Sequence, residues 1–244
     1  MQNYKLTIAY DGTDYHGWQM QANARTIQGE LTRVLTLLDH RKVTLHGAGR
    51  TDAGVHAEAQ VASVFLEREF APDQLRDAIN GNLNRDLRVT GVELADEGFN
   101  ARFSAKKKTY RYAICTAPVV RPCDFRYVYH YRGALDVAAM RCAAALLVGE
   151  HDFSAFTIAA LEIEDRVRRL TRLDVETDGQ GIRITAAADG FLRYMVRTIA
   201  GTLIDVGRGR RSAEMVGAAL ASRRREDAGA TAPAHGLTLV RVDY

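Results

Sequence analysis

The densest chemical signal in the chain is Gly47-Ala48-Gly49-Arg50-Thr51-Asp52-Ala53-Gly54-Val55-His56, where three glycines frame one arginine and one carboxylate. Glycine-rich turns often cradle phosphate, but neither familiar pattern fits. In a dinucleotide-binding G-x-G-x-x-G the third glycine's place is taken by Asp52, whose charge opposes a pyrophosphate, and no amphipathic helix follows directly. A Walker loop needs Gly-Lys-Ser/Thr, which is absent. What remains is a tight turn in which Asp52 either accepts backbone hydrogen bonds or is held rigidly at the tip, with small neighbours leaving room for a planar substrate. In the second case Asp52 is a candidate nucleophile, and it must then stay ionised near a cation. Arg50 is close in sequence, whereas Arg197 arrives on a separate helix and can approach from the opposite wall. Spacing leaves that choice open.

Other chemistry is thinner. Cys115, Cys123 and Cys142 form no C-x-x-C pair, and an odd number fits reduced thiols. The seven histidines are scattered with no zinc-type spacing, so no metal is expected. His56 is the one base that a hydrolase using Asp52 could recruit, and lining the loop is its simpler role. Basic residues are 28 arginines against five lysines, a bias suited to bidentate contacts with carboxylate or phosphate. The net charge of +3 is too small to diagnose a nucleic-acid partner, so its distribution matters more. Ala101 to Tyr112 holds Arg102, Lys106, Lys107, Lys108 and Arg111 with no acid. Arg193 to Arg211 holds five basic residues, among them Arg208, against Asp205 alone.

These residues need a scaffold. The 244 residues are 47% hydrophobic and 26% charged, with four prolines, which supports a large core and argues against extended disorder. No apolar run reaches bilayer length, and the start lacks a signal peptide's pattern, so a soluble, cytoplasmic protein is expected, with no membrane partner. Alternation predicts a strand over Tyr4 to Tyr10 that stops at Asp11-Gly12. Thr26 caps a helix with Ile27, Leu31, Val34, Leu35 and Leu38 on one face. Gln60 to Leu66, apolar on both faces, reads as a central strand, Pro72 to Ile79 as a helix and Leu87 to Leu94 as a strand. The order then restarts, with a strand over Thr109 to Cys115 and a helix from Asp136 to Val148 ending at Gly149. A hairpin crosses Asp178-Gly179. A long helix is striped by Leu192, Met195, Val196, Ile199, Leu203 and Val206 and capped by Gly207; Ser212 to Ala221 is helical, and Leu237 to Val242 is a closing strand. The expected class is α+β, two lobes sharing one extended, mainly antiparallel sheet flanked by helices.

From end to end the chain resembles the tRNA pseudouridine synthases of the TruA type. The resemblance runs through IAYDGTDYHGWQ (Ile8 to Gln19), RTIQGEL (Arg25 to Leu31), GRTDAGVHA (Gly49 to Ala57) and FNARFSA with KTYRY (Phe99 to Tyr112). It continues through HDFSAF (His151 to Phe156), GFLRYMVRTIAGTL (Gly190 to Leu203) and TAPAHGLTLVRVDY (Thr231 to Tyr244). The resemblance implies a pseudouridine synthase fold with two RNP/ferredoxin-like lobes, 1–105 carrying the nucleophile loop and 106–244 completing the active-site cleft. It implies an isomerase converting uridine to pseudouridine at positions 38, 39 and 40 of the tRNA anticodon arm, as a homodimer and without a cofactor. By block it implies Asp52 as nucleophile, Tyr110 as the aromatic against the target uracil, Arg197 as the aspartate's partner and Arg50 as a positioner of loop and RNA. Ala59, Asn84 and Thr157 depart from the family's usual glycine, proline and arginine, and Thr157 removes a phosphate contact.

The residues suit that reaction. Breaking the C1′–N1 bond, turning the uracil and rejoining through C5 conserves every atom, so one carboxylate suffices. It can attack C1′ or C6, or remove the C2′ proton to give a glycal, and the sequence does not choose. The base must leave its stack first, a cost of a few kcal/mol that phosphate contacts offset. Aromatics two apart on a strand are usually core; only Tyr110, of Tyr110 and Tyr112, is singled out by the family block. The rival readings are a non-catalytic RNA-binding protein on the same scaffold and a hydrolase using Asp52 covalently, the latter lacking a second acid in its block.

Overall fold

Alternation in the first residues produces the strand that organises the N-terminal half: in β1 (Gln2–Tyr10) Tyr4, Leu6, Ile8 and Tyr10 are buried while Lys5, Thr7 and Ala9 are partly exposed. The computed structural model describes residues 1–158, 164–179 and 181–244. They divide into unit 1, Met1–Lys106 with Leu239–Tyr244, and unit 2, Lys107–Thr238. Among the described residues, ten strands and five α-helices make it an α+β protein. No helix among the described residues is long and apolar enough to cross a membrane.

In unit 1, β1 is followed by α1 (Ile27–Asp39), β2 (Leu45–Gly47), β3 (His56–Leu66), α2 (Pro72–Gly81) and β4 (Leu87–Ala95). The strand order is β4-β1-β3, with β2 also on β3, and the β1–β3, β1–β4 and β2–β3 pairs are antiparallel. The expected central strand is β3, buried on both faces along most of its length. Thr26 caps α1 as its sequence predicts, its side chain accepting from the Gly29 N–H. Ile27, Leu31, Val34 and Leu35 are then buried, each contributing roughly 1.5 to 3 kcal/mol. Leu38, expected on that face, is only half-buried. Pro72 opens α2, which buries Leu75 and Ile79.

Unit 2 contains β5 (Lys107–Cys115), β6 (Tyr129–His130), α3 (Val137–Ala145), β7 (Gly149–Asp152), β8 (Val167–Asp178), β9 (Gly181–Ala188), α4 (Met195–Gly207) and α5 (Ala213–Ser222). β10 (Leu237–Asp243) then carries the chain back into unit 1, where it lies beside β3. The order in unit 2 is β5-β9-β8-β7, with the short β6 parallel to β5. The predicted hairpin pairs Asp178 with Gly181, and Gln180 lies outside the described residues.

Two helix ends differ from expectation. Asp136 caps α3 through its side chain, but Leu146, Leu147 and Val148 bond to carbonyls three residues back, so the last turn tightens and the α-helix ends at Ala145. Gly207 is not a cap but the last residue of α4; the left-handed glycine is Gly209, at φ 73°. Gly207 is small because α3 is close, and a Cβ there would meet Met140 Sδ at 2.7 Å.

Candidate functional site

The turn that carries Asp52 is fixed by residues distant in sequence. The Trp18 N–H donates to Thr51 O at 3.0 Å, the Gln60 side-chain amide to Gly49 O at 3.0 Å, and Val55 N–H to Asp52 O at 3.2 Å. The Tyr10 and Thr51 hydroxyls pair at 2.8 Å, and burial pushes the Tyr10 phenol up to about 12. Close approach is permitted by glycines: a Cβ on Gly12 would meet Val55 O at 2.0 Å, and Gly17, at φ +86°, would meet Thr51 O at 2.7 Å. His56 is buried, and its Nδ1 accepts from Gly12 N–H at 3.0 Å, so it lines the loop. Thr51 and Val55 are buried, whereas Asp52 is only half-buried and Arg50 exposed. The result is a carboxylate presented from a fixed main chain, the geometry a nucleophile needs.

Behind the turn lies a group that sequence reasoning missed. Arg25 donates to both Asp86 oxygens, at 2.9 and 3.1 Å, and to the Tyr15 hydroxyl at 2.8 Å. Tyr15 donates in turn to Asp86 at 2.9 Å, and the guanidinium lies 4.1 Å from the Tyr15 ring centroid. Burial, then Asp86, raises the Tyr15 phenol far above its ordinary value. The fork fixes Tyr15, whose carbonyl accepts from Gly54 N–H at 3.4 Å. The IAYDGTDYHGWQ and RTIQGEL blocks thus belong to the support of the Asp52 turn. Their signal was the unexplained density of glycine and aromatic residues between Tyr10 and Trp18.

Tyr110 and Arg197 belong to unit 2. Tyr110, on β5, is buried, edge-on to Phe191 with ring centroids 5.1 Å apart. Tyr112 is also buried and gives its hydroxyl to Pro233 O at 2.9 Å; burial raises its phenol well above the usual range. Arg197, on α4, donates Nε to Ala232 O at 2.8 Å while its own carbonyl accepts from Ala232 N–H at 3.0 Å. The 229–232 segment presses on the helix so closely that a Cβ at Gly201 would meet Ala230 O at 1.8 Å. Just before α4, Tyr194 takes φ 62°, uncommon for an aromatic residue, and its ring lies 5.0 and 5.1 Å from the Arg193 and Arg197 guanidinium carbons. Thr157 is buried, its hydroxyl on Arg193 O at 2.8 Å.

The basic residues separate into two kinds. In unit 1 Arg102 and Lys106 are exposed. In unit 2 Lys107 is exposed and Arg111 half-buried. Arg208 pairs with Asp205. Arg211 also faces Asp205, at 3.6 Å, and donates to the carbonyls of Asp227 and Ala228 at 2.6 and 3.0 Å. Among the described residues no group of three or more His, Cys, Asp or Glu is placed to hold a metal. An open cavity of about 800 Å³ in unit 2, lined by Arg132, Leu135 and Ile182 among others, includes none of the predicted site residues.

The sequence profile described as tRNA pseudouridine synthase matches residues 6–104 and 143–244. The chain is 42% identical, over the full length of both proteins, to the tRNA pseudouridine synthase A of Nitrobacter hamburgensis and to that of Brevibacillus brevis. It is 43% identical to that of Rhodopseudomonas palustris, again over all of both chains. The chain belongs to the tRNA pseudouridine synthase family, as an isomerase of the TruA type that converts uridine to pseudouridine in tRNA.

Proposed function

We propose that the chain forms pseudouridine at positions 38, 39 and 40 of the anticodon stem-loop, with Asp52 as nucleophile and the target base flipped out of its stack. The observation that carries this reading is the half-buried Asp52 on a turn whose main chain is held by Trp18, Gln60 and Val55. Lobe 1–105 supplies that turn, and lobe 106–244 supplies Tyr110 and Arg197. Arg197 keeps the carboxylate ionised, by the general effect of a neighbouring cation. Tyr110 offers a flat face to the uracil while the detached base turns, sheltered from water. Arg50 positions the loop and the RNA. Arg102, Lys106, Lys107, Arg111 and Arg208 meet phosphates of the arm, which offsets the cost of flipping. Because the reaction conserves atoms and electrons, the proposed mechanism uses no cofactor and no metal. The working species is a cytoplasmic homodimer.

The test is incubation with unmodified tRNA followed by carbodiimide mapping. Wild type gives pseudouridine at 38 to 40, and Asp52→Ala gives none while tRNA affinity changes little. Equal loss of binding and reaction makes Asp52 structural, full pseudouridine formation by Asp52→Asn assigns the chemistry to another group, and tRNA binding by wild type without any pseudouridine leaves a non-catalytic RNA-binding protein.

A further inference from the structure

Phe103 is the most exposed large apolar side chain among the described residues, at 80%. A single exposed aromatic is ordinary, but this one is mounted on a turn with almost no slack. The Asn100 side-chain oxygen accepts from the main-chain N–H groups of Arg102 and Phe103 at 2.9 and 3.3 Å, and Ser104 N–H bonds back to Asn100 O at 2.9 Å. Ala101, fully buried, donates its N–H to the Ser63 hydroxyl at 3.0 Å and receives the Tyr244 hydroxyl on its carbonyl at 2.9 Å. Lys106 N–H closes the segment on Asp243 O at 2.9 Å. The ring therefore projects from a pre-ordered base, with the Arg102 guanidinium carbon 5.6 Å from its centroid.

We infer that Phe103 stacks on an unpaired base of the tRNA substrate while Arg102 meets the adjoining phosphate. The inference rests on the tRNA reading above. Aromatic rings beside cations are the usual means of holding single-stranded RNA, and a ring carried on a pre-ordered main chain leaves little backbone entropy to lose on binding. A second copy of this chain is the poorer occupant, because Ala101 to Lys106 carries Arg102 and Lys106 and no acid, so like segments repel. The role is sequence-tolerant holding of the arm, distinct from the chemistry at Asp52.

The test measures the affinity of an unmodified anticodon stem-loop RNA over a range of salt. Phe103→Ala weakens binding roughly 5- to 100-fold with the salt slope of wild type, since no charge is removed. Arg102→Ala lowers that slope by about one. Phe103→Trp restores affinity to within about threefold and Phe103→Leu does not, which separates stacking from plain apolar contact. Leu94→Ala, which removes another exposed apolar side chain of unit 1, changes nothing. Unaltered affinity in Phe103→Ala or full rescue by leucine overturns the inference. So does a smaller sedimentation coefficient of RNA-free Phe103→Ala, which assigns the ring to contact between copies. Active Asp52→Ala would instead sink the proposed chemistry and leave these binding results readable.

Discussion

Two turns of unit 1, 48–55 and 99–105, present charge by opposite means. The first is held from afar, by Tyr10, Trp18 and Gln60, and its carboxylate is half-buried. The second is held largely by its own Asn100 and Ser104, with Ser63 and Tyr244 pinning the buried Ala101 between them, and its arginine stands in water. A group that must be aimed at one bond needs restraint from several directions. A group that meets a charged polymer needs only a stable base and reach.

The contrast breaks most readily at Asp86. Removing it as Asp86→Ala strips Arg25 and Tyr15 of their acceptor, and urea unfolding should show a loss of roughly 2 to 4 kcal/mol, below the fully buried case because the pair is about a quarter to a third exposed. Isomerisation should fall further than RNA affinity does. If affinity falls as much, the fork supports the whole unit rather than the Asp52 turn.

The next effect is alkaline. Tyr10 stays protonated in the folded chain to about 12, whereas an unfolded tyrosine ionises near 10. Stability from this group is therefore complete below about pH 10 and lost as pH rises toward 12, a decline on the order of 3 kcal/mol. Tyr10→Phe should flatten that part of the stability profile; an unchanged slope means the hydroxyl is solvated. For the second turn, Asn100→Ala removes the acceptor of two N–H groups and should cost about 1 kcal/mol, read as a shift of the urea midpoint. Smallest in stability is Arg102→Ala, expected within about 0.5 kcal/mol of wild type. A larger loss would give Arg102 a structural role.

What the sequence disclosed follows how local each cause is. Thr26 capping α1, Pro72 opening α2 and the period of β1 are decided by neighbours, and all were legible. Gly207 misled because small size for helix packing and a left-handed conformation for capping both select glycine, and only the proximity of Met140 distinguishes them. The strands β2, β6 and β7 are two to four residues long, too short to show a period. The tight turn around Asp52 was legible from its flanking glycines, but the Tyr15, Arg25 and Asp86 fork joins residues as many as 71 positions apart. Charge counting shows which residues are basic and not what they already hold. Asp205 and the carbonyls of Asp227 and Ala228 already engage Arg208 and Arg211.

The return of Leu239–Tyr244 to unit 1 sets an order of assembly that differs from the order of synthesis. Phe99, Ala101 and Val61 await Val242 and Tyr244, so the nascent first unit keeps the part of one β3 flank that β2 does not cover unsealed while Lys107–Thr238 emerges from the ribosome. An unpaired strand flank invites mispairing. Ribosome-stalled chains ending near Thr238 should therefore be the length at which this protein leans most on chaperones.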